Sequence, residues 1–306
     1  MIGKMLAETL VKTGKNAPLF DNPGRHGLKY EDITFRASDG VNLRGWLIPG
    51  DSDRVIIQSH FGLFCSRAGF TTKGKSIMLR PISHDIEFLR QVKSFNDAGY
   101  TVLLYDFRNH GESDSSMDGF VSYGPEEAKD LIAAVEFIEN HPAYSKAEIG
   151  LMSICMGQGA SVSAFGRSDG LKNRERLRCM VSVQPLDYPH FVKGMGMPAF
   201  LQKRADRYIQ ERTDFDYYEN SWRKDVADVD VPTLVIQNRN DGLLDESFVK
   251  GVFADLMVEK SLLWIELEDQ GSKGANRIAA YDWIGMNPGP ALEWFDRHMG
   301  NASQRD

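Results

Sequence analysis

The chain has 306 residues and a net charge of −7, which allows one large α/β domain with an insertion or two small domains, and argues against a nucleic-acid binder. Its three cysteines, Cys65, Cys155 and Cys179, are odd in number and lack framework spacing, so a reducing cytoplasm fits better than a disulfide scaffold. There is no apolar run of membrane-spanning length, no leader-like segment around Met1–Ala7 and no HExxH or CxxC cluster. The expectation is a cytoplasmic protein acting on a small molecule, with no membrane or nucleic-acid partner, no metal and no cofactor.

Residues 1–29 read as a peripheral N-terminal segment, with a helix over Ile2–Val11 and a loop at Asn22-Pro23-Gly24. Tyr30–Arg36 alternates like a half-buried strand, Ser38-Asp39-Gly40 turns it, and Val41–Ile48 returns as a second strand. Arg54–His60 is a strand rich in β-branched residues that runs into His60-Phe61-Gly62. Residues 63–85 form a long connection with Gly69, Gly74 and Pro81. It either covers a site or wanders over the surface. Asp85–Ala98 has helical spacing, with Ile86, Leu89, Val92 and Phe95 on one face and Gly99 as a cap. Tyr100–Asp106 is a strongly apolar strand, followed by Asp106-Phe107-Arg108-Asn109-His110-Gly111-Glu112-Ser113. Gly124-Pro125-Glu126-Glu127 opens a helix whose acidic first turn suits the helix dipole.

Around Cys155, a short apolar run, Ile149–Met152, leads through Ser153-Ile154-Cys155-Met156-Gly157 into a small-residue helix. A pinched strand-to-helix turn needs small neighbours, and this spacing projects the central side chain from the end of a sheet. An inert buried cysteine is the competing reading. Leu177–Val183 is a further buried strand. Residues 185–225 break the strand-helix rhythm with Pro185, Pro189, Gly194–Pro198 and a polar helix over Phe200–Arg212. Here Phe191, Met195, Met197 and Phe200 line an acyl pocket or pack a seam, and His190 could point toward Cys155. Val231–Gln237 is a strand that runs into Asn238–Gly242, and Asp245–Met257 is a helix. Ser261–Leu267 is the last strand, and Pro290–His298 belongs to a closing helix. Alternating strands and helices from 54 to 300 imply crossovers and a mostly parallel sheet.

Together the Ser153–Gly157 elbow, the His60 loop, the Asp106–Ser113 loop and the Pro232-Thr233-Leu234 strand before Asp241 resemble the α/β-hydrolase superfamily. The cysteine at the elbow is similar to the branch typified by dienelactone hydrolase. The resemblance implies an α/β-hydrolase core over 30–184 and 226–306, with 185–225 as a small cap insertion. It implies Cys155 as nucleophile, Asp241 as the acid of a triad (Asp245 being the lesser alternative), and the backbone N–H groups of Phe61 and Met156 as an oxyanion hole. His60 and His110 are expected to brace their loops.

One departure stands out. In that superfamily the triad histidine lies in the loop after the last strand, which here is Glu268–Arg277 and holds no histidine. A thiolate favoured at a helix N-terminus, a displaced base (His190, His84 or His60), or a lost hydrolytic function would each account for this. Lys273 and Arg277 in that loop could bind an acidic substrate or simply be solvated. The leading expectation is acyl transfer on a small ester, thioester or lactone through Cys155, by a hydrolase, acyltransferase or thioesterase. The alternative is a non-hydrolytic protein of this fold that binds a ligand, or a cyclising or condensing enzyme. An exposed edge or cap seam leaves a homodimer open.

Overall fold

The structure is a computed structural model that describes residues 2–12, 17–62, 64–71 and 85–300. Most of the 63–85 connection, with Gly74, Pro81 and the candidate base His84, lies outside the described residues.

Ten strands form two sheets among the described residues. They are β1 (Glu31–Arg36), β2 (Asn42–Ile48), β3 (Arg54–Ser59), β4 (Gly69–Phe70), β5 (Ile86–Glu87), β6 (Thr101–Tyr105), β7 (Glu148–Ile154), β8 (Leu177–Val183), β9 (Thr233–Asn238) and β10 (Lys260–Ile265). Eight of them make one sheet in the order β1-β2-β6-β3-β7-β8-β9-β10, while β4 and β5 pair separately. β2 alone runs against its neighbours; from β6 to β10 every pairing is parallel. The reason is in the side chains. Val55, Ile56 and Ile57 of β3, and Val102, Leu103 and Leu104 of β6, are buried on both faces, as interior strands of a helix-covered parallel sheet must be.

The covering helices are amphipathic where they meet the sheet and polar where they meet solvent. In α2 (Phe88–Asp97), Phe88, Leu89, Val92 and Phe95 turn inward. The turn into β6 then passes through Gly99 at φ +89°. In α3 (Ala128–Glu139), Leu131, Val135 and Ile138 are buried. Every residue of α4 (Met156–Gly166) from Met156 to Phe165 is buried. This helix is wedged against α3 and a 3-10 turn at Trp222–Asp228. Of the later helices, α7 (Glu246–Asp255), capped by the Asp245 side chain, packs on the Trp222–Asp228 turn, and α9 (Gly289–His298) packs on β8, with Phe295 against Phe95 of α2. This is the α/β-hydrolase fold expected from the sequence.

Residues 185–225 carry two helices, α5 (Tyr188–Gly194) and α6 (Ala199–Thr213). The N-terminal α1 (Ile2–Val11) packs on α6, with Gly3 so close that a Cβ there would sit 2.7 Å from the Arg204 carbonyl oxygen.

Two stretches depart from the sequence reading. Ile86 and Glu87, expected in a helix from Asp85, form β5 against β4, and α2 starts only at Phe88. The polar stretch expected to be a loop through Arg277 ends at Ser272, whose hydroxyl accepts the Ala275 N–H at 3.2 Å. From there α8 runs over Lys273–Met286, with Ala275, Arg277, Ala280, Tyr281 and Ile284 buried on one face. An N-capping serine followed by that spacing is a helix signal, and the charged first turn hid it. Arg277 is therefore a buried helix residue and not part of a solvated loop.

Candidate active site

The site begins with a strained residue. Cys155 joins β7 to α4 with φ +53° and ψ −103°, a conformation that costs about 1–3 kcal/mol for a non-glycine residue. Its surroundings enforce this. The Cys155 N–H donates to the Val183 carbonyl of β8 at 2.8 Å, and its own carbonyl accepts the Gln158 N–H at 3.0 Å. Gly157 has no room for a side chain, since a Cβ would lie 2.5 Å from the Ser59 carbonyl oxygen at the end of β3. Ser153 and Ser161 tie strand to helix through hydroxyls 2.7 Å apart.

Arg277 reaches the sulfur from α8. Its Nη2 donates to Cys155 Sγ at 3.5 Å and to the carbonyl oxygens of Gln184 and Pro185, while Nη1 donates to Asp241 Oδ2. Its Nε donates to the Tyr281 hydroxyl at 2.8 Å. Burial disfavours the guanidinium's charge, but Asp241, Tyr281 and Cys155 outweigh it, so Arg277 stays protonated. Burial pushes the Tyr281 phenol well above its usual value. The Tyr281 ring is stacked on Phe61 with centroids 4.5 Å apart, which fixes where the hydroxyl points.

Asp241 is held as firmly. It stands just past β9 in a turn closed by its N–H on the Asn238 carbonyl at 3.2 Å. Its carboxylate accepts from Gln237 Nε2 at 3.0 Å, from the Leu243 N–H at 3.0 Å and from Arg277. One guanidinium thus links the expected acid to the expected nucleophile, in the position a histidine would bridge.

The N–H groups of Phe61 and Met156 flank the elbow. Neither donates to another group among the described residues, so both are available to a ligand. His60 is fully engaged: its Nδ1 pairs with the Phe61 carbonyl at 2.7 Å, and its Nε2 accepts the Phe107 N–H at 3.1 Å. That fixes the proton on Nδ1. Burial, helped by His110, drives its pKa well below the ordinary value and keeps the ring neutral. His190 sits on α5 with Nδ1 2.6 Å from Asp187 Oδ1 and its ring 4.1 Å from that of Phe248. Among the described residues, the side chain that donates to the sulfur is Arg277.

An aromatic wall lies beside the elbow. Tyr123, itself at φ +61°, packs against Tyr188 and Phe191, each 5.6 Å away between centroids. Tyr188 in turn stacks on Tyr217 at 4.0 Å. Of the four residues expected to line a pocket or seam, Phe191 is buried here, Met197 is half-buried, and Met195 and Phe200 are exposed. Two surface recesses of about 250 and 290 Å³ lie elsewhere, around Trp46 and Arg67 and around Phe137 and His141. Among the described residues no group of three or more His, Cys, Asp or Glu side chains is arranged to hold a metal ion.

Sequence reasoning singled out Cys155, Asp241, Phe61 and Met156, and the structure brings them together. It missed Tyr281, and it placed Arg277 in a polar loop, either solvated or binding an acidic substrate. The signal was present: on a helix starting at Ser272, Arg277 and Tyr281 are one turn apart on one face.

No family model matches the chain. Among curated proteins it is similar to a polyketide transferase of a Penicillium species, 26% identical over 186 residues, which is 60% of this chain and 53% of that protein. It is also similar to a thiohydrolase of Eupenicillium brefeldianum, 25% identical over 195 residues, covering 62% and 52% of the two chains. The chain spans about half the length of the curated relatives it matches. Among solved structures, a Pyrococcus furiosus esterase superposes with a TM-score of 0.65 at 20% identity, over 94% of this chain and 100% of that one. The α/β hydrolase GrgF of a Penicillium species gives 0.60 at 17% identity, over 89% and 99%. A dienelactone hydrolase of Anabaena variabilis gives 0.54 at 15%, over 89% and 99%. These neighbours share the α/β-hydrolase fold.

Proposed function

We propose that this protein is an acyl-transfer enzyme in which Cys155 attacks a thioester, ester or lactone as a thiolate held by Arg277. The observation that carries this reading is the elbow cysteine with its sulfur 3.5 Å from a guanidinium whose other arm is on Asp241. Arginine cannot serve as a base at any ordinary pH; here it is a donor fixed beside the sulfur. The sulfur's proton leaves to solvent, the thiolate adds to the carbonyl carbon, and the oxyanion forms against the N–H groups of Phe61 and Met156. Collapse expels the leaving group and leaves an acyl-cysteine. A departing thiolate needs no proton, whereas an alkoxide does, so the absence of a histidine from the sulfur's partners among the described residues favours a thioester donor. The curated relatives, a thiohydrolase and polyketide transferases, are in keeping with this. Residues 185–225 serve in this reading as a cap, with Phe191 and the neighbouring tyrosines flanking the acyl chain.

The test is intact-protein mass spectrometry after exposure to activated esters and thioesters, comparing wild type with Cys155→Ser and Cys155→Ala. A mass gain that maps to Cys155 and turns over is the expected result. No adduct, alongside a thiol that still reacts with iodoacetamide, would favour the second reading: a protein of this fold that binds a ligand or promotes a condensation without a covalent intermediate. That reading draws on the same missing histidine.

A further inference from the structure

We propose that Cys155 has a second activity, the reduction of organic hydroperoxides, with the Arg277–Asp241 pair holding its sulfur for attack. The argument is one of proton balance. Hydrolysis of an acyl-cysteine needs a base to activate water, and among the described residues the side chain hydrogen-bonded to the sulfur is the donor Arg277. Reduction of a hydroperoxide needs no base from the protein. The thiolate attacks the terminal oxygen of the peroxide, an S–O bond forms and the O–O bond breaks. Its electron pair leaves on the alkoxide, which takes a proton from water. Sulfur is oxidised to the sulfenic acid and the hydroperoxide is reduced to the alcohol. Donors are needed at both ends of this displacement. Arg277, itself anchored on the Tyr281 hydroxyl, serves the sulfur, and the unengaged N–H groups of Phe61 and Met156 serve the departing alkoxide.

The three cysteines differ in the way this chemistry requires. Cys155 is 6% exposed, whereas Cys65 and Cys179 are at 0%. Burial also pushes the Cys179 thiol far up, so it stays protonated and unreactive. With both other thiols sealed in the core, the sulfenic acid is resolved from outside. One molecule of a small thiol condenses with it to a mixed disulfide and water, and a second releases Cys155 and the oxidised small thiol. The aromatic side chains around the elbow, Phe61, Tyr123 and Phe191, favour an organic peroxide over hydrogen peroxide.

The experiment uses the whole wild-type protein with cumene hydroperoxide and with hydrogen peroxide, dithiothreitol as reductant, and dimedone to trap sulfenic acid for peptide mass spectrometry. The expected result is a dimedone adduct on Cys155, consumption of cumene hydroperoxide about a hundredfold faster than by N-acetylcysteine, and a slower reaction with hydrogen peroxide. A rate within about threefold of N-acetylcysteine, or an adduct confined to Cys65 or Cys179, overturns the proposal. Tyr281→Phe keeps the ring and its stack on Phe61, and is expected to lower the rate about fivefold with the fold intact. The proposal stands apart from the acyl-transfer reading. Thioester adducts without peroxide reduction leave that reading in place and remove this one, and the reverse pattern does the opposite.

Discussion

Two buried arginines show how differently one side chain can be used in the same fold. Arg108, in the loop after β6, is completely surrounded by carboxylates. Its N–H groups meet Asp130 at 2.7–2.9 Å, Asp39 at 2.7 and 3.1 Å and Glu126 at 3.4 Å. The backbone carbonyl of the same residue accepts or pairs with His110 Nδ1 at 2.9 Å. Nothing is left over for a ligand, and this cluster pins the loop onto α3. Arg277 has one carboxylate, two backbone carbonyls, a phenol oxygen and a sulfur. Its charge is less fully matched by protein, and the unmatched part faces the most strained residue of the elbow. Burial of an arginine therefore says little about its role. What the last N–H group faces decides it.

The largest expected effect separates the two on stability. Arg108→Met leaves Asp130 buried without its partner and should cost about 3–5 kcal/mol in urea unfolding, while the folded fraction keeps the wild-type iodoacetamide rate at Cys155. A loss of Cys155 reactivity in that folded fraction would break the comparison. Arg277→Met should act the other way. Reaction of Cys155 with iodoacetamide at neutral pH should fall about tenfold or more in protein whose near-UV circular dichroism remains native. An unchanged rate would demote Arg277 to a purely structural role.

Tyr281→Phe sharpens the picture, since it removes one hydrogen bond and no charge. The same labelling rate should fall about fivefold, worth roughly 1 kcal/mol. His190→Ala asks whether a histidine from α5 acts as a base. With its ring already on Asp187, acyl-adduct formation at Cys155 should stay within about twofold of wild type, and a collapse of that rate would make His190 the base.

The smallest expected effect is in acid. Burial pushes the Asp39 carboxyl up, but hydrogen bonds and charge from Arg108 and Lys129 outweigh it and hold it at about 2, below the ordinary 3.8. A depressed carboxyl contributes stability that is present above the ordinary value and is lost as pH falls through the folded one. The unfolding free energy of wild type should therefore fall between about pH 4 and pH 2 more steeply than that of Asp39→Asn. Equal slopes would show that Arg108 draws nothing from Asp39.

Much of this protein was legible in one dimension because local rules and the fold agree. Periodicity marks the strands, since β3 and β6 are buried on both faces and show it as unbroken apolar runs. The elbow is legible because a pinched turn tolerates only small neighbours, and Gly157 against Ser59 is the contact that requires it. Asp241 is legible from its place after a strand. The partner that joins Asp241 to Cys155 was not, because Arg277 and Cys155 are separated by 122 positions and meet only when α8 packs beside the sheet's C-terminal edge. A polar side chain reads as solvated until the fold supplies a carboxylate, two carbonyls, a phenol and a sulfur to satisfy it in the interior. The chain's own pattern determined that Cys155 stands at a pinched strand-to-helix turn and Asp241 just past a strand of the same sheet. Only tertiary packing decided that an arginine stands between them.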